Sequence, residues 1–409
     1  GKSFADEGVH VLDPFTGTGT FISRLLQSGL IPPKKLTYKY KNEIHANELV
    51  LLAYYIAAIN IEAVYHSQII DEYTPFEGIC LTDTFQMYEK EDLVDQVLVD
   101  NSARRKRQKL LDIQVIIGNP PYSAGQESAN DNNANVKYTS LDEKIRQTYA
   151  ERSKATNKNA LYDSYIRAIR WASDRIETQG VIGFVTNAGW VDANTADGLR
   201  KCLVDEFSSL YIFHLRGNAR TSGEQRRKEK DNVFGQGTRT PIAISILVKN
   251  PHAKEHGKIY FHDIGDYLSR EEKLEKIADF NSLQGITSIN GWTVITPNEH
   301  GDWINQRDDS FGEFISIGSK KNKDTIILFK EYSSGLQPRG DAWFYNYGKS
   351  SLVNNIKKSI SFFNAEVDRY ESTFDGTVSL KDFVKIDLSQ FAWYGRSEER
   401  RVGKECLRL

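Results

Sequence analysis

Asn119-Pro120-Pro121-Tyr122 directly follows the apolar run from Asp112 to Gly118. That run reads as a buried strand ending at a glycine. An α/β enzyme places its chemistry just past the carboxyl end of such a strand. The side-chain carbonyl of Asn119 and the backbone carbonyl of Pro120 are two acceptors able to face one planar amino group. Tyr122 offers a flat ring to stack on that plane. The two prolines fix φ and carry no N–H, so the corner is stiff and its carbonyls are left for a ligand. An amine held by two acceptors is pushed toward a tetrahedral nitrogen whose lone pair can attack.

A second constraint lies upstream. Val9 to Asp13 reads as a short strand, Pro14-Phe15-Thr16-Gly17-Thr18-Gly19-Thr20-Phe21 as a tight glycine turn, and Ile22 to Gly29 as a helix. Strand, glycine loop and helix make up the opening unit of a nucleotide-binding α/β half. The third glycine of the dinucleotide fingerprint is missing. Asp13 at the strand end suits a cationic amino group better than a pyrophosphate. The glycine turn alone is weak; followed in order by Asn-Pro-Pro-Tyr, it is specific.

The pair resembles motifs I and IV of the amino-group DNA methyltransferases that use S-adenosylmethionine. Glycine loop before Asn-Pro-Pro-Tyr is the order of the gamma class of adenine-N6 enzymes. Gly8 to Phe21, Tyr40 to Glu62 and Asp341 to Tyr347 are similar to the methyltransferase part of type ISP restriction-modification enzymes, which are long chains with helicase and nuclease parts. The resemblance implies a Rossmann-like, doubly wound, mostly parallel catalytic domain over residues 1–250. The start of an α+β target-recognition region would follow over 251–396.

By the same resemblance, Asp13, Thr16, Gly17 and Gly19 hold the methionine end of S-adenosylmethionine, and Glu48 accepts from its ribose hydroxyls. Glu48 lies further past the loop than the usual ~20 residues, because the lysine-rich segment Pro32 to Lys41 intervenes. Asp83 bonds the cofactor's adenine amino group, with Phe85 beside the ring. Asn119, Pro120 and Tyr122 hold the target base, and Phe234 packs on its other face. The substrate is then double-stranded DNA with one adenine flipped out. Bland readings stand beside these: Glu48 as a helix cap, Asp83 as a turn residue, Phe234 as a core aromatic. Cytosine-N4 transfer, another amino-methyltransferase with this motif (protein-glutamine or ribosomal-RNA), and a non-catalytic DNA-recognition fragment are the competing functions. Gamma enzymes carry a further cofactor-binding segment ahead of the glycine loop, so the chain reads as a fragment of a longer parent. Residues 397–409 break from the preceding pattern and read as a non-native tail.

Composition excludes more than it selects. At 409 residues, 39% hydrophobic and 26% charged, the chain has material for two or three domains. It holds no eighteen-residue apolar run that would read as a membrane span and no signal-peptide pattern. Cys80, Cys202 and Cys406 show no metal spacing, so no metal is expected, and a cytoplasmic location fits. With a net charge of −2, contact with DNA must come from local patches. The basic patches are Arg104 to Lys109, the stretch Arg216 to Lys230, read as a mobile loop, and Lys320 to Lys323, read as a solvated turn. β–α alternation runs from residue 9 to Val248. Ser123 to Asn159 interrupts it, with Ser128 to Asn135 expected as a flexible loop; Leu49 to Asn60 is expected as a buried helix, and Pro251 to His256 as a linker to an aromatic-rich region.

Overall fold

The computed structural model describes residues 2–89, 99–122, 137–235, 237–307, 310, 313–318, 326–329 and 345–373. The described residues up to 307 belong to one compact unit. It is built on a nine-stranded sheet of order β3-β2-β1-β4-β5-β7-β6-β8-β9. The strands are β1 (His10–Asp13), β2 (Ile44–Glu48), β3 (Ile79–Leu81), β4 (Ile113–Gly118), β5 (Gly180–Asn187), β6 (Ser209–Arg216), β7 (Ile242–Lys249), β8 (Lys258–Asp263) and β9 (Thr293–Ile295). β3, β2, β1, β4 and β5 run parallel, β7 is inserted antiparallel between β5 and β6, and β9 is antiparallel to β8.

The strand order reverses between β1 and β4, where crossovers leave the sheet in opposite directions and open a crevice at the carboxyl ends. Leu12 pairs with Ile116 and Val11 with Val115. Alternation along the strands sends Leu12 and Ile116 into one hydrophobic core and Val11 and Val115 into the other. Each such buried aliphatic side chain contributes about 1.5–3 kcal/mol relative to exposure. Helix α1 (Thr20–Gln27) buries Ile22, Leu25 and Leu26 against the second core. There α2 (Pro33–Asn42) adds Leu36 and Tyr40, so the inserted lysine-rich segment is a helix. Its Lys39 is wholly buried, donating to Glu43 and to the carbonyls of Asp6 and Val9.

Several expectations are corrected. Helix α3 (Leu51–Gln68) is apolar nearly all round, yet only Ala57, Ile61 and Tyr65 are fully buried; Leu51, Leu52, Tyr55 and Ile59 are exposed. Apolar composition alone does not say how many faces of a helix find a partner. Pro251 to His256 joins β7 to β8 within the same sheet, so the sheet continues past residue 250. In the stretch that interrupts the alternation, the residues after Val136 are ordered, with α4 (Val99–Lys109) upstream and α5 (Thr139–Ile145) burying Leu141 and Ile145, while the expected flexible loop Ser128 to Asn135 is outside the described residues. The segment from Ser123 to Val136 lies outside the described residues. So do Lys320 to Lys323, Arg339 to Phe344 and the 397–409 tail.

The remaining helices of this unit are α6 (Ser164–Arg175), α7 (Gly189–Asp192), α8 (Asp197–Glu206), α9 (Gly223–Glu229), α10 (Arg270–Phe280) and α11 (Leu283–Ser288). The second unit contains α12 (Lys349–Thr373) and a parallel bridge between Ser316 and Ile327. Among the described residues no helix is long and apolar enough to cross a membrane.

Candidate active site

The glycine turn follows β1 because Gly17 (φ 57°) and Gly19 (φ 88°) take left-handed conformations that side chains resist. At Gly19 a Cβ would also lie 3.2 Å from the Ala57 carbonyl and from Ile61, so the turn sits flat on α3. Thr16 donates through its backbone N–H to the Asn47 carbonyl (3.0 Å) and through its hydroxyl to the Asp13 carbonyl (3.0 Å). The Gly17 N–H donates to Glu48 Oε2 at 2.8 Å, and Val50 N–H to Glu48 Oε1 at 2.7 Å. Glu48 thus does cap the chain entering α3, and it also ties the end of β2 to the glycine turn. Each oxygen keeps a second lone pair for a ligand hydroxyl.

Asp13 is entirely enclosed. Its Oδ1 accepts from the Phe15 N–H at 3.1 Å, and Oδ2 is buried without a hydrogen-bond partner. Burial pushes this carboxyl up from 3.8 to about 7; the Phe15 bond opposes the rise and the charge of Glu48 adds to it. On the adjacent strand, a Cβ at Gly118 would sit 3.0 Å from Asp13 Oδ1. A side chain at Gly118 would thus crowd Asp13 where the glycine-turn strand and the Asn-Pro-Pro-Tyr strand come together.

Asn119 is exposed, Pro120 buried and Tyr122 partly buried. The Tyr122 hydroxyl lies 2.9 Å from Asn119 Oδ1 and 3.2 Å from the Val185 carbonyl, and has one proton to donate between them. Held this way, the Asn119 amide keeps its oxygen toward Tyr122, with a second lone pair left for an incoming amine. The Tyr122 ring meets Tyr165 edge-on at 6.2 Å. Burial and the charge of Asp163 hold the phenol above its ordinary range, so it stays protonated.

Asp83 follows β3. Its Oδ1 accepts from the Phe85 N–H (2.9 Å) and its Oδ2 from the Tyr138 hydroxyl (2.7 Å). The Thr84 hydroxyl donates to the Pro14 carbonyl at 2.6 Å, joining this loop to the glycine turn. Phe85 is buried beside Phe15 (5.4 Å between centroids) and Tyr138 (5.2 Å). Phe234 is 46% exposed and is not a core residue; its N–H donates to Asn232 Oδ1, while the preceding Val233 packs in the cluster that Tyr122 borders.

The structure thus brings Asp13, Thr16, Gly17, Gly19, Glu48, Asp83, Phe85 and Asn119 to the carboxyl ends of β1 to β4. Thr84, Phe15, Asn47, Val185 and Tyr138 join them through contacts that no local pattern announces. The basic segments differ from expectation. Arg216 to Lys230 is no loop throughout, since α9 occupies 223–229. Arg216 pairs with Asp263 (2.7 Å) and Asp266 (2.6 Å), Arg227 with Glu224 and Lys228 with Asp266. On α4, Arg105 is buried and Arg104 donates to the Tyr54 hydroxyl at 3.2 Å.

A glycine turn and an Asn-Pro-Pro-Tyr corner flanking the switch point of a mostly parallel sheet, with β7 antiparallel in its interior, define a methyltransferase fold. Residues 39–220 match the model of the Eco57I restriction-modification methylase family. The chain is similar to the ATP-dependent type ISP restriction-modification enzyme LlaBIII bound to DNA, with 42% identity and TM-score 0.82 over 98% of this chain and 26% of that one. A nuclease-deletion mutant of the type ISP enzyme LlaGI, in complex with a DNA substrate mimic, matches at 44% identity and TM-score 0.82, covering 98% of this chain and 33% of that chain. The DrdV–DNA complex matches at 37% identity and TM-score 0.77 over 90% and 35%. The chain spans between about a quarter and about a third of the length of these proteins. No curated protein matches it.

Proposed function

We propose that this chain is the catalytic part of a restriction-modification DNA methyltransferase that moves a methyl group from S-adenosylmethionine to adenine N6 in double-stranded DNA. The observation that carries the reading is the juxtaposition of Asp13 and Gly118 across β1 and β4, which sets the Asn-Pro-Pro-Tyr corner beside the glycine turn. The residues fit the cofactor. Asp13 Oδ2 is a buried acceptor lacking a donor, as a cationic ammonium would require. Glu48 and Asp83 are further acceptors, suited to ribose hydroxyls and to the adenine amino group. Thr16, Gly17 and Gly19 line the turn, and Phe85 supplies an apolar flank.

When bound, S-adenosylmethionine supplies an electrophilic methyl group on a sulfonium. Asn119 Oδ1 and the Pro120 carbonyl accept the two hydrogens of the target amine and orient its lone pair. Tyr122 gives the flipped base a ring to stack on, and Phe234, being exposed, is available for its opposite face. With β8 and β9 part of the catalytic sheet, the target-recognition region is read as starting beyond them rather than at residue 251. The parent protein is read as a longer chain with helicase and nuclease parts. Its location is taken as cytoplasmic, where its DNA substrate is.

Asn119→Ala tests the chemistry. Transfer to adenine-containing DNA should fall at least about a thousandfold, in line with losing an oriented acceptor. Affinity for S-adenosylmethionine by calorimetric titration should stay within about threefold. Parallel loss of both would make Asn119 a residue of the fold.

A further inference from the structure

Resting on the reading of Asp83 given above, we propose that Tyr138 is a positioning residue for the purine end of the cofactor, acting through Asp83 to select an amino-purine over an oxo-purine. Tyr138 Oη donates to Asp83 Oδ2 at 2.7 Å, while Oδ1 is held by the Phe85 N–H at 2.9 Å. Both oxygens are therefore pinned in rotation, and each keeps one acceptor direction.

The tyrosine is itself fixed. It is 8% exposed, Phe85 meets its ring edge-on, and the Arg167 guanidinium lies 5.5 Å over its centroid. Arg167 in turn grips Asp142 with two hydrogen bonds (2.7 and 2.9 Å), and Asp142 Oδ2 accepts from the Tyr138 N–H at 3.2 Å. The main chain next to it is tied to the same loop as Asp83. The Ser140 and Leu141 N–H groups donate to the Glu89 carboxylate at 2.9–3.1 Å.

Burial, with the neighbouring Asp83 charge, holds the phenol above its ordinary range, so it remains a donor. A carboxylate stabilised by that donor presents only acceptors to what approaches next. A purine NH2 meets a partner there, whereas a purine carbonyl meets an unpaired lone pair. Without the hydroxyl, Asp83 can turn, and the contrast between the two groups shrinks.

The test is calorimetric titration of the 409-residue chain with S-adenosylhomocysteine and with S-inosylhomocysteine, in which a carbonyl replaces the purine amino group. The wild-type chain should prefer the adenosyl form by roughly tenfold or more, the range of a hydrogen bond to a charged group. Tyr138→Phe should narrow that ratio to within roughly threefold, with the loss falling on the adenosyl form. An unchanged ratio, or equal weakening of both ligands, overturns the proposal and leaves Tyr138 as a packing residue. Asp83→Asn provides a second measurement: it should erase the preference, and adding Tyr138→Phe to it should change the ratio no further. Retained preference in Asp83→Asn also overturns the proposal. If the folded wild-type chain binds neither ligand, the cofactor reading itself fails and takes this inference with it.

Discussion

Replacing Asp13 by Asn should remove a pH dependence from the stability of this protein. The Asp13 carboxyl is pushed by burial from 3.8 to about 7 in the folded state. Between those values the folded protein keeps a proton that the unfolded chain releases, so stability falls as pH rises from about 4 to about 7 and levels off above. At about 1.4 kcal/mol per pKa unit, the whole titration amounts to about 4 kcal/mol. Of this, about 2–3 kcal/mol falls between pH 5 and pH 8. In Asp13→Asn the carbonyl still accepts from Phe15, while the new amide replaces an oxygen that has no donor. That unpartnered amide costs about 1–3 kcal/mol at every pH, so absolute stability is not diagnostic. The difference between wild type and variant is, because every other carboxyl titrates in both. Urea unfolding at pH 5, 6, 7 and 8 should show the variant gaining about 2–3 kcal/mol on the wild type across the series. Parallel curves would mean that Asp13 is ionised throughout, and that its buried oxygen has a donor which the geometry lacks. The same titration governs ligand binding. If the carboxylate pairs with the cofactor's ammonium, wild-type affinity should rise by up to about tenfold per pH unit below 7.

Gly19→Ala forces a side chain into φ 88° with the Ala57 carbonyl 3.2 Å from the new methyl. It should lower unfolding stability by about 1–3 kcal/mol and weaken S-adenosylmethionine binding, both readable from urea melts run with and without the cofactor. Lys39→Met should destabilise by about 3–5 kcal/mol, since it leaves Glu43 buried without its cation. A loss below about 1 kcal/mol in a urea melt would show that Glu43 is satisfied by the Gly8 N–H (2.6 Å) alone.

Legibility in the sequence was uneven for physical reasons. The glycine turn, the Asn-Pro-Pro-Tyr corner and the strands that end at them are written in local chemistry: positive-φ glycines, paired prolines, and four to eight apolar residues bounded by turn formers. Such signals act within a few residues and survive without tertiary context. The candidates Asp13, Gly17, Gly19, Glu48 and Asp83 came from those signals with the family resemblance, and the fold gathers them at one crevice. What no local signal carried is partnership. The exposed face of α3 has the same apolar residues as its buried face, so periodicity could not say which face would be covered. The arginines of the Arg216 to Lys230 stretch look like a free cationic run until Asp263, at the end of β8, and Asp266, in the loop after it, arrive beside Arg216.

By itself, then, the sequence determined the class of chemistry: an amine acceptor corner, a glycine turn, and their order along the chain. Tertiary structure alone decided that Asp13 is sealed beneath that turn and raised toward neutral pH, and that Glu48 bonds the turn directly. It also carried the sheet past residue 250 and placed Tyr138 on Asp83. Burial, strand order and hydrogen-bond partners depend on residues tens of positions apart, and a chain specifies those only through the packing of its whole core.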